Sequence, residues 1–331
     1  MKRRESLALT GAIAASGLAN PRHLLAKTLS RHRAEAFQVA NDPLGVSIQW
    51  QDKSVLRYRS VEAPPPRAEI GPDYTRGGYV SELRTPHGRL VTDDFPPNHL
   101  HHHGVWFAWV KTAIGAKPRN PDFWNMGQKS GTVKFVSLDG VQSDGRGVEI
   151  RTTHRHVDLT TSPATDVGQE SWRVFMHAPT PGVPNLFIVD FDLSFVVTAA
   201  ESLHILKHIY GGLGVRGHRD WNGAGAVRFL TSEGCGRPAG NETRVRWVDM
   251  MAHVDGARAG VTVLGHPGNF RAPQPVRLHP TEPFLSMAPA QLGDFELAPG
   301  QPYRSRYRLL VHDGELEAAA IEAHWQAYSQ A

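Results

Sequence analysis

The stretch Leu186-Phe187-Ile188-Val189-Asp190-Phe191-Asp192-Leu193-Ser194-Phe195 alternates apolar and polar residues from Val189 onward. That period of two marks a β-strand, whose successive side chains leave opposite faces. Runs of similar character lie at residues 47–50, 133–136, 148–150, 261–264 and 303–311. Gly, Pro, Asp and Asn separate them, and the 32 glycines and 24 prolines fit a chain with many turns. Only residues 315–328 read as a helix, with Leu316, Ala319, Ala320, Ala323 and Ala327 forming a small apolar stripe. With no internal repeat and no composition break, the expectation is all-β: one large antiparallel β sandwich over residues 39–331, ending in a short helix.

The 331 residues suffice for one large core. A lone cysteine, Cys235, rules out an internal disulfide. Residues 1–26 read as an export signal: Lys2-Arg3-Arg4 form a charged head, and the apolar run from Leu7 to Leu18 is too short to span a bilayer. Gly17-Leu18-Ala19 and Leu24-Leu25-Ala26 suit cleavage. The paired arginines followed by Leu7 resemble a twin-arginine signal, with Ser6 where that motif prefers Phe. This segment holds Lys2, Arg3, Arg4 and Arg22 against Glu5, which is three of the four net positive charges. The remainder is nearly neutral and carries no footprint for nucleic acid. Residues 27–38 read as a polar tether. The expected mature protein is periplasmic or secreted, without a membrane span.

Chemistry concentrates in Asp93-Asp94-Phe95-Pro96-Pro97-Asn98-His99-Leu100-His101-His102-His103-Gly104-Val105-Trp106-Phe107-Ala108-Trp109. Imidazoles transfer protons or ligate metals near neutral pH. The indoles of Trp106 and Trp109, with Asp122 and Trp124 downstream, suit the apolar faces of sugar rings. On an extended chain His99, His101 and His103 would share a face; after two prolines a loop would let all four histidines converge. His99 and His101 could also hold a divalent metal. A second cluster supplies His208, Tyr210 and Arg216 beside glycines whose spacing is not that of a dinucleotide site. Glu170, Asp190 and Asp192 sit in strand-like runs where burial is costly unless paired or used. Asn269 and Arg271, from a Pro-bounded loop, could reach sugar hydroxyls.

Taken together, Arg76-Gly77-Gly78-Tyr79-Val80-Ser81, the His99 to Trp109 core, Asp122-Phe123-Trp124, Tyr210 to Arg216, Trp247-Val248-Asp249, His266-Pro267-Gly268-Asn269 and Tyr307 to Gly314 resemble the bacterial PmoA-like family, a domain of unknown function. The resemblance covers about residues 40–315. Asn98 stands where that family usually has Asp, and His103 where it often has Arg. The methane-oxygenase label does not transfer: that subunit lives in the membrane, and beyond its signal this chain has no spanning run. His101-His102-His103-Gly104-Val105-Trp106 is also similar, more weakly, to the galactose-mutarotase-like β supersandwich.

The resulting expectation is an exported protein acting on a small-molecule carbohydrate by proton transfer: epimerisation, mutarotation or β-elimination. His101 or His102 is the expected acid and Glu170 or Asp192 the base, with His208 as a second acid. Trp106, Trp109, Asp122, Trp124, Tyr210, Arg216, Asn269 and Arg271 are the expected substrate contacts. No cofactor is expected. A metal-dependent hydrolase or lyase using His99 and His101, and a non-catalytic glycan-binding module, are the rival expectations. The leader gives a first prediction. Exported protein should begin after residue 26 by N-terminal sequencing, and changing Arg3 and Arg4 to Lys should abolish export; exported material beginning at Met1 contradicts this.

Overall fold

The computed structural model describes residues 37–62 and 64–331. The export signal, and all of the tether but its last two positions, lie outside the described residues. Those two positions belong to the domain: Phe37 is buried against Trp50 and Phe187, and Gln38 opens the first strand.

In chain order the strands are β1 (Gln38–Asp42), β2 (Gly45–Trp50), β3 (Lys53–Arg59), β4 (Tyr79–Leu83), β5 (Val105–Ala108), β6 (Thr112–Ile114), β7 (Gly131–Asp144), β8 (Gly147–Asp158), β9 (Thr165–His177) and β10 (Leu186–Val197). They continue with β11 (Leu203–Ile205), β12 (Gly212–Arg216), β13 (Arg228–Thr231), β14 (Trp247–Val254), β15 (Ala257–Gly265), β16 (Val276–Leu278), β17 (Phe284–Met287), β18 (Phe295–Leu297) and β19 (Pro302–Asp313). The first sheet runs β1-β2-β3-β4-β5-β12-β17-β16, the second β13-β14-β15-β19-β10-β9-β8-β7, and a small third sheet β18-β11-β6. Every pairing within the sheets is antiparallel, so the expected large antiparallel sandwich is the observed architecture.

Alternation along β10 explains the layering. Phe187, Val189, Phe191, Leu193 and Phe195 all point into the core, where each fully buried side chain contributes roughly 1.5–3 kcal/mol. Asp190 and Asp192 leave by the other face. Asp190 accepts from Arg308 at 2.7 and 2.8 Å, and Asp192 accepts from Arg173 at 2.8 Å. On that outer face the C-terminal helix Ala318–Ser329 packs Ile321 and Tyr328 against Leu186, Trp247, Leu264 and Leu310.

One polar network lies inside the sandwich. Glu170 on β9 is completely buried between His154 and His156 of β8, 3.1 and 2.9 Å from their ring nitrogens, and it accepts from the Trp172 indole. Tyr58 of the first sheet lies 2.5 Å from His154, so the network joins the two sheets. Burial alone would raise the Glu170 carboxyl, but the contacts with His154 and His156 outweigh it and hold the group at about 2. Burial also lowers His154.

Both shifts act in the same direction. A lowered Glu170 contributes stability above its ordinary value of 4.5 and loses it as pH falls towards about 2. A lowered His154 contributes stability above its ordinary 6.5 and loses it as pH falls below that. Thermal melts should therefore show Tm dropping steadily on acidification from neutral pH. Glu170→Ala should cost about 3–5 kcal/mol at neutral pH, because it strands a buried polar cluster. A melting temperature that is flat into acid, or a neutral-pH cost below about 1 kcal/mol, contradicts this account.

Candidate functional site

The histidine run is a turn, not a strand. The His99 amide donates to Pro96 O at 3.0 Å and the His102 amide to His99 O at 2.8 Å. The turn brings three of the four imidazoles together. The rings of His99 and His102 stack with centroids 4.7 Å apart, and His101 packs edge-on to His102 at 4.6 Å. His103 departs: it is fully buried between Tyr79 and Phe95, with Nδ1 2.7 Å from Asp94 Oδ1.

Below the turn, the outer face of the first sheet is aromatic. Trp106 on β5 lies opposite Gly214 on β12, which lies opposite Ser286 on β17. A side chain at position 214 would put its Cβ 2.7 Å from the Trp124 ring and 2.9 Å from the Trp106 ring. Glycine there is what lets two indoles cover the strand. Their centroids are 4.8 Å apart, and Phe284 stacks on His102 at 4.5 Å. Asp122 positions Trp124 by accepting from the amides of Trp124 and Asn125 and from the Asn125 side chain, each at 2.8 Å. Tyr210 is half-buried, 5.9 Å from Phe284 and 6.5 Å from Trp124, with His208 at 5.8 Å beyond it on the rim.

Arg216, at the end of β12, holds the surrounding loops. Its buried guanidinium donates to Asn222 at 2.6 Å, Glu282 at 3.0 Å and Asn98 at 3.4 Å, and reaches His102 Nδ1 at 3.4 Å. A guanidinium only donates, so the last contact needs the Nδ1 lone pair and leaves the His102 proton on Nε2. Glu282 and His279 enter from the segment His279-Pro280-Thr281-Glu282-Pro283-Phe284, with the His279 ring 5.3 Å from His99. Burial lowers His102 well below the ordinary imidazole value. Burial, aided by the nearby His99, takes both His101 and His279 to about 4. Burial would raise Glu282, but the Asn98 hydrogen bond and the Arg216 charge lower it. At neutral pH the cleft thus presents uncharged imidazoles beside one neutralised ion pair.

Sequence reasoning missed His279, Glu282, Asn222 and Phe284. A His and a Glu three apart, each followed by a proline, were the available signal, but nothing local tied them to the distant histidine run.

Several expected residues lie elsewhere. Glu170 cannot serve this cleft, because it is sealed between the sheets. Asp192 faces outward from the second sheet, on the opposite side of the sandwich. Trp109 packs into the core against Phe107, Tyr303 and Phe295. Asn269 is a backbone clasp: its side-chain amide donates to Arg306 O at 2.8 Å and accepts from the Arg306 amide at 2.7 Å. Arg271 caps the carbonyls of Pro289, Gly293 and Asp294 and lies over the Phe270 and Phe295 rings. His99 and His101, the expected metal pair, have centroids 5.8 Å apart, and among the described residues no three His, Cys, Asp or Glu side chains group to hold a metal ion. Among the described residues no helix is long and apolar enough to cross a membrane.

The role of Gly214 can be tested directly. Gly214→Ala should shift the near-ultraviolet circular dichroism of the stacked indoles and cost about 1–3 kcal/mol in thermal unfolding, as overpacking does. Unchanged dichroism with unchanged stability contradicts the close approach described above.

No curated protein matches the chain. Among solved structures it is similar to the heparan sulfate lyase of Pedobacter heparinus at 8% identity and TM-score 0.39, covering 91% of this chain and 43% of that one. It thus spans less than half the length of that lyase. It is also similar to a galactose mutarotase related enzyme of Lactobacillus acidophilus, at 11% identity and TM-score 0.39, covering 85% of this chain and 100% of that one. A GH36 alpha-galactosidase of Geobacillus stearothermophilus, solved in complex with raffinose, matches at 12% identity and TM-score 0.34, over 85% of this chain and 40% of that one. By sequence, the model described as "Family of unknown function (DUF6807)" matches residues 45–326, and no methane-oxygenase label comes with it. The chain belongs to this family of unknown function, DUF6807.

Proposed function

We propose that this protein is an exported, carbohydrate-active enzyme that moves protons on a bound sugar without a cofactor. One observation carries the reading. Three converging imidazoles and His279, lowered by burial, are backed by the buried rings of Trp106, Trp124 and Phe284, so that the half-buried Tyr210, stacked on Trp124, is the aromatic side chain left within reach of a ligand. The open face of Tyr210 suits a sugar ring, and neutral imidazoles suit a base and a hydrogen-bond donor that need no charge at rest.

The roles follow from the ring nitrogens. His102, with Nδ1 turned to Arg216, keeps its proton on Nε2 and donates it towards a sugar oxygen. His101, half-buried at the mouth, accepts a proton from the sugar. Glu282 stays ionised against Arg216 and fixes that guanidinium rather than serving as the base. Tyr210, backed by Trp124, orients the ring. The expectation that His101 or His102 acts with a strand carboxylate is thereby replaced by a pair of imidazoles with different tasks. Opening of a cyclic sugar illustrates the balance: His101 removes the proton of the anomeric hydroxyl, the ring C–O bond breaks while the His102 N–H hydrogen-bonds the ring oxygen as negative charge develops there, and the proton held by His101 is then returned to that oxygen.

A nuclear magnetic resonance screen of monosaccharides, keto-glycosides and uronate oligosaccharides tests this. One member should turn over, and His101→Ala should cut turnover by about 10²–10⁴-fold with a native melting curve, while His102→Ala should cut it as far and also lower Tm, because it removes a buried ring. Because the neutral imidazole is the working form, turnover should be level near neutral pH and fall as pH drops through about 4. If neither histidine variant changes turnover, the catalytic reading fails. Ligand binding that is lost only in Tyr210→Ala, with no turnover of any sugar, is the behaviour of a glycan-binding module.

A further inference from the structure

Across the sandwich from the histidines, the outer face of the second sheet carries a polar groove of about 560 Å³. Its layout is set by strand register. Arg151 of β8, Arg173 of β9, Asp192 of β10 and Arg306 of β19 stand side by side in one row. In the adjoining row Ser171, Ser194 and Arg304 are neighbours on β9, β10 and β19. At about 4.8 Å between strands, the row from Arg151 to Arg306 spans roughly 14 Å.

The charges in this groove do not cancel. Four arginines line it against two aspartates, Asp139 and Asp192, and Glu149 beside the groove pairs with Arg151 and Arg173. Asp192 is held by Arg173 at 2.8 Å, and Asp139 accepts from Thr153 at 2.7 Å. Arg306 reaches His266 Nδ1 at 2.9 Å and the Ala331 carbonyl at 3.2 Å, and no carboxylate side chain. Arg304 is exposed and forms no ion pair among the described residues. Arg304 is therefore left for an outside acceptor, with Arg306, which no carboxylate side chain neutralises, two residues along the same strand, and with serine hydroxyls small enough to leave room above them.

We propose that this groove is a second ligand site, for an oligosaccharide bearing carboxylate or sulfate groups. Guanidinium forks match both oxyanions bidentately, and serine hydroxyls can pair with sugar hydroxyls. The 14 Å row, about three strand spacings, suits a chain of rings rather than a single ring. An extended peptide finds no purchase, because β8, β9, β10 and β19 are each paired on both sides and offer no free edge to extend.

The whole protein is titrated calorimetrically with a galacturonate hexasaccharide, a sulfated hexasaccharide, neutral maltohexaose and a hexaglutamate peptide. At least one acidic saccharide should bind, more weakly as salt is added, and maltohexaose should bind at least about 10-fold more weakly. The two acidic arms separate carboxylate from sulfate as the preferred group. Arg304→Glu, at an exposed position without partners, should keep the native melting curve and weaken that binding about 10-fold or more. Three results overturn the proposal: no acidic saccharide binds, maltohexaose binds equally well, or Arg304→Glu leaves the affinity unchanged. Tighter binding of hexaglutamate overturns the saccharide assignment.

Discussion

The candidate cleft hangs on the buried guanidinium of Arg216. Residues from three separate loops meet it: Asn98 and His102 from the histidine turn, Asn222 from the turn after β12, and Glu282 from the segment before β17. A cation taken out of water is costly unless its donors are engaged, and here Glu282 neutralises it while the amides and the imidazole satisfy geometry. Remove that guanidinium and only ring contacts, His102 on Phe284 and His99 against His279, hold the histidine turn to the segment before β17. The same contact sets the tautomer of His102, so one ion pair fixes both the shape of the cleft and the position of its mobile proton.

Much of this arrangement was legible in the sequence because it is local. Alternation in residues 186–195 identified β10 and put both aspartates on one face, and the apolar stripe near residue 320 identified the helix. The prolines ahead of His99 left a loop open as the alternative to a strand, and in the turn that forms three of the four imidazoles converge. What stayed hidden depends on register or on distant partners. Glu170 reads as a free carboxylate in a strand, until β8 sets His154 opposite it in the ladder and His156 two residues further along. The His154-x-His156 spacing was a sign of that, since it puts both imidazoles on one face. Asn269 and Arg271 resemble ligand contacts because the groups they serve are backbone carbonyls and amides, which leave no trace in side-chain chemistry. His279 and Glu282 lie some 180 residues from the histidine turn, beyond the reach of any pattern along the chain.

The two outer faces of the sandwich are chemically unlike, although the same alternation builds both. The first sheet sends out Trp106, Phe284 and Arg216, and a canopy of loops carrying lowered imidazoles buries them. The second sends out crossing rows of arginine, aspartate and serine that remain in contact with water. Loop cover is the difference: connections near β5, β12 and β17 are long enough to fold back over their sheet, whereas β8, β9 and β10 are long strands joined at their ends.

The position of β19 has a kinetic consequence. Last of the strands in sequence, it lies in the middle of the second sheet, between β15 and β10. Until residues 302–313 are present, β10 and β15 each expose an unpaired edge, and the core lacks Tyr303, Tyr307, Leu309 and Val311. Contacts so far apart along the chain are slow to form. A growing polypeptide can assemble hairpins such as β7-β8-β9, but it cannot close the sandwich until residues 302–313 have been made. Any chaperone that attends this protein during synthesis has two adhesive strand edges to shield until the final strand arrives.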